Sequence, residues 1–154
     1  MSGYGVEDGG DLLPWSWAVE RLTRAHDYWV ATTWPDGRPH VMPVWAVWLG
    51  DALWFSTGRV SRKARNLAVN PAVSITTDNA FEPVVVDGVA EVVADRDAIA
   101  EFAEASDAKY DASYGVEFYA SAENVCVRVR PRSVFALDSE RFTETPTRWT
   151  RLPG

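Results

Sequence analysis

The sequence predicts an α+β domain, mainly antiparallel β, in which one sheet closes into a barrel with a few short helices around it. Three observations lead there. About seven segments follow the two-residue period of strands, while only a few short ones follow the helical period. Turn residues such as Pro35-Asp36-Gly37 and Gly50-Asp51 join neighbouring strands over distances that suit antiparallel pairing. A sheet this long, left open, would expose two edges, and closure removes them.

The elements follow in chain order. Residues 1–14, rich in Gly and Asp, read as a flexible tail, and 15–154 as a single domain. Ser16 offers an N-cap to a helix running through about His26, with Val19 and Leu22 inward. YWVATTW, from Tyr28, reads as a strand, His40 to Leu49 as a longer one, and Ala52 to Ser56 as a third. Along the second, Val41, Pro43, Trp45, Val47 and Leu49 share one face and Met42, Val44, Ala46 and Trp48 the other. Both faces are apolar, so this strand needs cover twice: once from its own core, and once from a subunit, a helix or a cofactor ring. Pro43 cannot donate to a neighbouring strand, which suggests a bulge or an open edge.

A basic loop leads to a helix from Ser61 to about Val69, stopped by Asn70-Pro71, because the residue before proline is driven out of the α region. Ala64, Leu67 and Ala68 form its expected buried face. Ala72 to Thr77 and Val84 to Val93 read as strands, the latter with a possible bulge at Gly88. Asp95 caps a helix to about Lys109, with Ile99, Phe102 and Ala103 inward. Asn124 to Val129 is a strand that Pro131 interrupts, and Val134 to Leu137 is the last.

Composition narrows the function. The 154 residues are 47% hydrophobic, enough for a packed core, and seven of the eight Trp lie between Trp15 and Trp54, which points to an aromatic core or contact surface. No apolar run reaches membrane-spanning length, and the N-terminus has neither a basic nor an apolar leader region, so a cytoplasmic protein with no membrane contact is expected. A net charge of −7 argues against nucleic acid as a partner. Cys126 is the single cysteine and His26 and His40 the two histidines, a poor set for a disulfide or a metal. No Ser/His/Asp set and no carboxylate pair recommends nucleophilic or glycosidic chemistry. His40, His26, Cys126 and the face of Arg128 and Arg130 have an ordinary structural reading.

The chemistry concentrates in WFSTGRVSRKARNLAVNP, residues 54–71. No Asp or Glu lies between Asp51 and Asp78, yet Arg59, Arg62, Lys63 and Arg65 do, a local cation cluster in an acidic chain. A strand ends, Ser56-Thr57-Gly58 supplies hydroxyls and a pliant backbone, and Ser61 opens a helix whose free N–H groups favour an anion. Helical side chains lean toward the N-terminus, so Lys63 reaches back beside Ser56 and Thr57. Lys63 is the first candidate for a phosphate ligand, with Arg62 and Arg59 behind it; a solvated basic helix face is the alternative.

The helix, then YWVATTWPDGRPHVMPVWAVWLGDALWFSTGRVSRKARNLAVNPAVSITT, then GVAEVV, resembles the pyridoxamine 5′-phosphate oxidase-like superfamily, and more closely its flavin/deazaflavin-dependent oxidoreductase branch of actinobacteria. The likeness runs from about residue 17 to the C-terminal TPTRW, and STGRVSRKARNL followed by NP is its most specific part. It implies a split β-barrel of the FMN-binding type, a homodimer with cofactor sites at the subunit interface, and an oxidoreductase acting on a small organic substrate. It implies Ser56, Thr57, Arg62 and Lys63 at the cofactor phosphate, Met42, Pro43 and Val44 against the tricyclic ring, and Trp149 near the partner subunit's cofactor. The founding enzymes carry basic residues on the strand beside the flavin, whereas VMPVWAVW has none, which speaks against vitamin B6 oxidation. The expected cofactor is the deazaflavin coenzyme F-420, with FMN as the alternative, and a carrier or sensor without turnover is the other reading.

Overall fold

A computed structural model describes residues 12–152 of the chain. Most of the expected tail, residues 1–11, therefore lies outside the described residues. At its end Leu13 is buried, and its N–H donates to the Thr147 hydroxyl at 3.0 Å.

Eight strands make one antiparallel sheet: β1 (Tyr28–Thr33), β2 (Pro39–Val44), β3 (Val47–Leu49), β4 (Ala52–Gly58), β5 (Ala72–Thr77), β6 (Val84–Val93), β7 (Asn124–Ala136) and β8 (Thr147–Trp149). Their order is β2-β1-β5-β6-β7-β4-β3, with β8 paired to β7. Among the described residues four α-helices accompany them, α1 (Trp15–Arg24), α2 (Arg62–Val69), α3 (Arg96–Tyr110) and α4 (Gly115–Tyr119), with one 3-10 turn at Ser139–Arg141. The architecture is thus α+β and mostly antiparallel, as the sequence predicts.

The closure sits at one place in the chain. β2 and β3 stand at opposite ends of the strand order, yet only Trp45 and Ala46 separate them. The expected single strand from His40 to Leu49 is therefore two strands with different partners, β2 pairing β1 and β3 pairing β4. The Ala46 peptide finds its partners on the last turn of α3. Its N–H donates to the Tyr110 hydroxyl at 2.9 Å, and its carbonyl accepts from the Lys109 ammonium at 2.9 Å. A buried peptide without such partners would be costly, so α3 stands in for the missing ladder.

Alternation along β4 and β7 divides the core in two. Leu53, Phe55, Val127 and Val129 point into the barrel with Tyr28, Val30, Ile75, Val86 and Val134, and Ala18 and Leu22 of α1 join them. Trp54, Val93 and Cys126 point the other way, onto Ile99, Phe102 and Ala103 of α3 and Tyr119 of α4. Fully burying one such side chain stabilises the fold by about 1.5–3 kcal/mol. Of the seven early tryptophans only Trp54 is fully buried, so most of that aromatic surplus lies at or near the surface.

Several other expectations are corrected. β7 runs unbroken through Pro131, because a register shift at Asp87/Gly88 sets Pro131 opposite Gly88, where a ladder bond is already lost. Among the described residues the last strand is β8 rather than Val134 to Leu137, and a short helix that the periodicity does not predict, α4, follows α3. The first helix begins at Trp15, with Pro14 rather than Ser16 as its N-cap, and buries Ala18 and Leu22. α2 buries Asn66 and Leu67 and leaves Ala68 exposed, since Asn66 turns toward β1 and donates to the Thr32 hydroxyl at 3.0 Å. Among the described residues, no helix is long and apolar enough to cross a membrane, and no group of His, Cys, Asp and Glu is placed to hold a metal.

Candidate functional site

The site is built where β4 ends. Ser56-Thr57-Gly58 finishes the strand, and Ser61 caps α2, its hydroxyl accepting from the Ala64 N–H at 3.2 Å and lying 3.1 Å from the Thr57 hydroxyl. This orients the first turn of α2, which carries no acidic residue, toward the strand end. Free N–H groups and the positive end of the helix dipole therefore face an opening lined by hydroxyls.

That opening is a cavity of about 350 Å³, within the size range of small-molecule sites. Pro43, Val44 and Trp45 form one apolar wall, where β2 ends. Phe102, Tyr114, Phe118 and Tyr119 of the α3–α4 corner form an aromatic one, with the Tyr114 and Phe118 rings stacked at 4.7 Å. Ser56, Thr57, Gly58 and Lys63 supply the polar end. Burial holds the Lys63 ammonium below its ordinary pKa of 10.5, the sign of a desolvated cation. No ion pair or side-chain hydrogen bond engages Lys63, Arg62 or Arg65 among the described residues, whereas Arg21, Arg24, Arg38, Arg96, Arg128 and Arg130 all pair with carboxylates.

The cavity brings together Pro43, Val44, Ser56, Thr57 and Lys63 of the sequence-predicted set. Three members lie outside it. Met42 sits on edge strand β2 opposite Val30 and is half exposed. Arg62 lays its guanidinium over the Trp34 ring, 3.7 Å from the centroid. Trp149, on β8, packs edge-on against Trp15 at 5.3 Å. Arg59 is already engaged, donating to the carbonyls of Ala122 at 2.7 Å and Asn124 at 3.0 Å, which weakens it as an anion ligand. Cys126 is buried and its thiol is pushed up to about 11 by that burial, so it stays protonated and unreactive.

Sequence reasoning missed the aromatic wall. Phe118 and Tyr119 stand in a five-residue helix too short to show a period, and Tyr114 is its N-cap. Its start is fixed by the Gly115 N–H donating to Asp107 at 2.8 Å, while the Tyr119 hydroxyl donates to the same carboxylate at 3.1 Å. The usable signal was the density of aromatic residues between Tyr110 and Tyr119.

The donor set fits a phosphate-bearing cofactor with a flat ring. An unpaired, desolvated ammonium and a capped helix N-terminus suit the anion, and apolar and aromatic walls suit the ring.

A structure named F-420 reductase is 30% identical, with a TM-score of 0.62, over 75% of this chain and 93% of that one. A conserved hypothetical protein from Mycobacterium tuberculosis is 24% identical with a TM-score of 0.75, over 92% of this chain and 93% of that one. A heme binding protein from Mycobacterium smegmatis is 20% identical with a TM-score of 0.69, over 90% of this chain and 58% of that one. The last two show the fold alone. No curated protein sequence matches the chain. The family model described as pyridoxamine 5′-phosphate oxidase matches residues 18–145, and with the antiparallel split-barrel sheet it shows that the chain belongs to the pyridoxamine 5′-phosphate oxidase-like split-barrel family.

Proposed function

We propose that this protein is an oxidoreductase that binds the deazaflavin coenzyme F-420 in the cavity at the end of β4 and acts on a small organic substrate. The observation that carries the reading is the meeting of unpaired Lys63 with the Pro43-Val44-Trp45 wall in one cavity. The cofactor, when bound, supplies hydride transfer. The chain's own residues bind and orient it. Lys63, with Ser56, Thr57 and the N–H groups of the first turn of α2, would hold the phosphate, and Pro43 and Val44 would lie along the ring, with Met42 just outside the cavity on β2.

Two observations favour F-420 over FMN: the 30% identical F-420 reductase, and Arg62 and Arg65, which have no carboxylate partner among the described residues and would serve an anion longer than one phosphate. Arg59 is committed to main-chain carbonyls and adds nothing to that argument. β2 and the residue after it leave Val41, Met42 and Trp45 exposed, which supports a homodimer whose second subunit covers them and brings its own Trp149 near the cofactor. A free, buried Cys126 fits a cytoplasmic location.

The test is a fluorescence titration of the full-length apo-protein with F-420 and with FMN at matched ionic strength. F-420 should bind tighter. FMN binding about tenfold tighter would make a flavoprotein the better reading, and failure of both to bind would remove the site. Reoxidation of bound reduced cofactor by added substrate separates an enzyme from a carrier.

A further inference from the structure

We infer that a second cavity, at the start of α3, is a binding site for a small organic acid, with the Arg59 guanidinium receiving the carboxylate and an apolar floor receiving the hydrocarbon part. The site is separate from the proposed cofactor cavity and does not rest on that reading.

Four segments meet there. β6 ends in Val92 and Val93, α3 opens with Arg96, α4 ends at Tyr119, and β7 begins with Asn124 and Val125. They enclose a cavity of about 300 Å³, at the small end of the range for organic ligands. Val93, Ile99, Val125 and Cys126 line it and are buried, whereas Arg59 and Arg96 line it and are exposed, which puts an apolar floor beneath a cationic rim. Gly58 lines the cofactor cavity and Arg59 this one. Tyr119 and Asn124 line both, so the end of α4 and the start of β7 form the partition between them.

Of the two guanidiniums, Arg59 is the one whose charge is not neutralised. Arg96 pairs with the Glu117 carboxylate of α4. Arg59 donates from Nε to the Ala122 carbonyl at 2.7 Å and from Nη2 to the Asn124 carbonyl at 3.0 Å, and its main-chain N–H donates to the Glu123 carbonyl at 2.8 Å. These acceptors are neutral: they fix the side chain and leave its charge unbalanced. No carboxylate pairs with Arg59 among the described residues, and its Nη1 donates to none of them. A guanidinium held along one edge keeps the other for a bidentate carboxylate. Because the side chain is fixed in advance, binding costs less rotamer entropy. The bonds that make Arg59 a poor ligand for the cofactor phosphate thus hold it at the rim of this second cavity.

The floor selects the rest of the ligand. Val93, Ile99 and Val125 offer hydrocarbon, and burial pushes the Cys126 thiol up to about 11, so it stays neutral and behaves as a small apolar group. An inorganic anion would leave this surface in contact with water, whereas an acid carrying one ring or a short chain covers it.

The experiment titrates the full-length, nitrogen-15-labelled protein with benzoate, with benzamide as its neutral match and acetate as its match without a ring, following amide shifts by NMR. Benzoate should move the amides of residues 93–96 and 119–126 and bind about tenfold tighter than benzamide or acetate. That comparison needs no variant, so it stands even if a substitution at Arg59 disturbs the fold. Arg59→Gln should lower benzoate affinity about tenfold, to the level of benzamide, and leave benzamide unchanged. Lys63→Met, which alters the cofactor cavity alone, should leave benzoate affinity at its wild-type value. Benzamide binding as tightly as benzoate would overturn the inference, as would undiminished benzoate affinity in Arg59→Gln or no binding of benzoate at all. Acetate equal to benzoate would remove the apolar floor from recognition and overturn it too. Shifts confined to residues 43–45 and 56–58, with benzoate binding lost in Lys63→Met, would place the acid in the cofactor cavity; the inference would then fail while the phosphate reading stood.

Discussion

Lys109 donates its ammonium to the main-chain carbonyl of Ala46 at 2.9 Å, across the junction where β2 gives way to β3. It also donates to the Tyr28 hydroxyl at 2.7 Å, while Trp45, on one side of the junction, lies flat on Tyr110 at 4.4 Å and 2° from parallel. Barrel closure and the Trp45 wall of the cavity therefore share one support, the end of α3.

Stability should respond to pH through that support. Burial lowers the Lys109 pKa from 10.5 to about 8, with Asp78 opposing the shift, so between those values the unfolded chain holds a proton the folded one has released. Stability then rises with pH over this window, by about 1–2 kcal/mol after discounting for the half-exposed side chain. Burial raises Tyr28 above its ordinary value and Tyr110 to about 12, so stability falls again once unfolded tyrosine ionises near 10.0. Urea midpoints should climb from pH 8 toward 10 and then drop. Lys109→Met should abolish the climb; an unchanged slope would remove Lys109 as its source.

Lys63→Ala should weaken binding of the phosphorylated cofactor by about 1.5–3 kcal/mol, the scale of a charge-assisted hydrogen bond. Its thermal midpoint should stay near that of the wild type, because the Lys63 side chain makes no hydrogen bond or ion pair among the described residues. Fluorescence titration measures the first and circular dichroism the second. Unchanged affinity would return Lys63 to a solvated helix face.

Gly88→Ala should destabilise the fold by about 1–3 kcal/mol. A Cβ there would stand 2.5 Å from the Arg130 carbonyl oxygen and 3.0 Å from a Val129 methyl, at the register shift between β6 and β7. The main chain of β7 has to move to admit it. Urea unfolding reads the loss, and Gly58→Ala, where a Cβ meets nothing within 4 Å, is the control that should cost much less.

The protein should sediment as a homodimer at micromolar concentration. Trp29 is 46% exposed on β1 and stands opposite Pro43 of β2, and Val41 is 52% exposed two residues before Pro43, a contiguous apolar strip on one side of the sheet. Trp29→Asp should shift the species toward monomer and weaken cofactor binding with it. A wild-type monomer that binds cofactor at full affinity would separate the site from any interface.

Local chemistry made part of this legible in the sequence alone. β5 and β6 fall where alternation puts them, Gly88 is the bulge, Asp95 caps α3, and Ser61 caps α2 ahead of the Asn70-Pro71 stop, because each depends on neighbours a few residues away. The association of Ser56 and Thr57 with Lys63 was readable for the same reason: one strand end, one cap and one helical turn carry all three. Tertiary structure decided the rest. Whether His40 to Leu49 was one strand or two depended on Tyr110 and Lys109, more than sixty residues away, taking over the hydrogen bonds of Ala46. The rotation of α2 depended on Thr32 accepting from Asn66, and the aromatic wall on the packing of α4 against α3. Periodicity reports which residues seek burial; which partner buries them, and which cation is left without a carboxylate, is fixed only when distant segments meet.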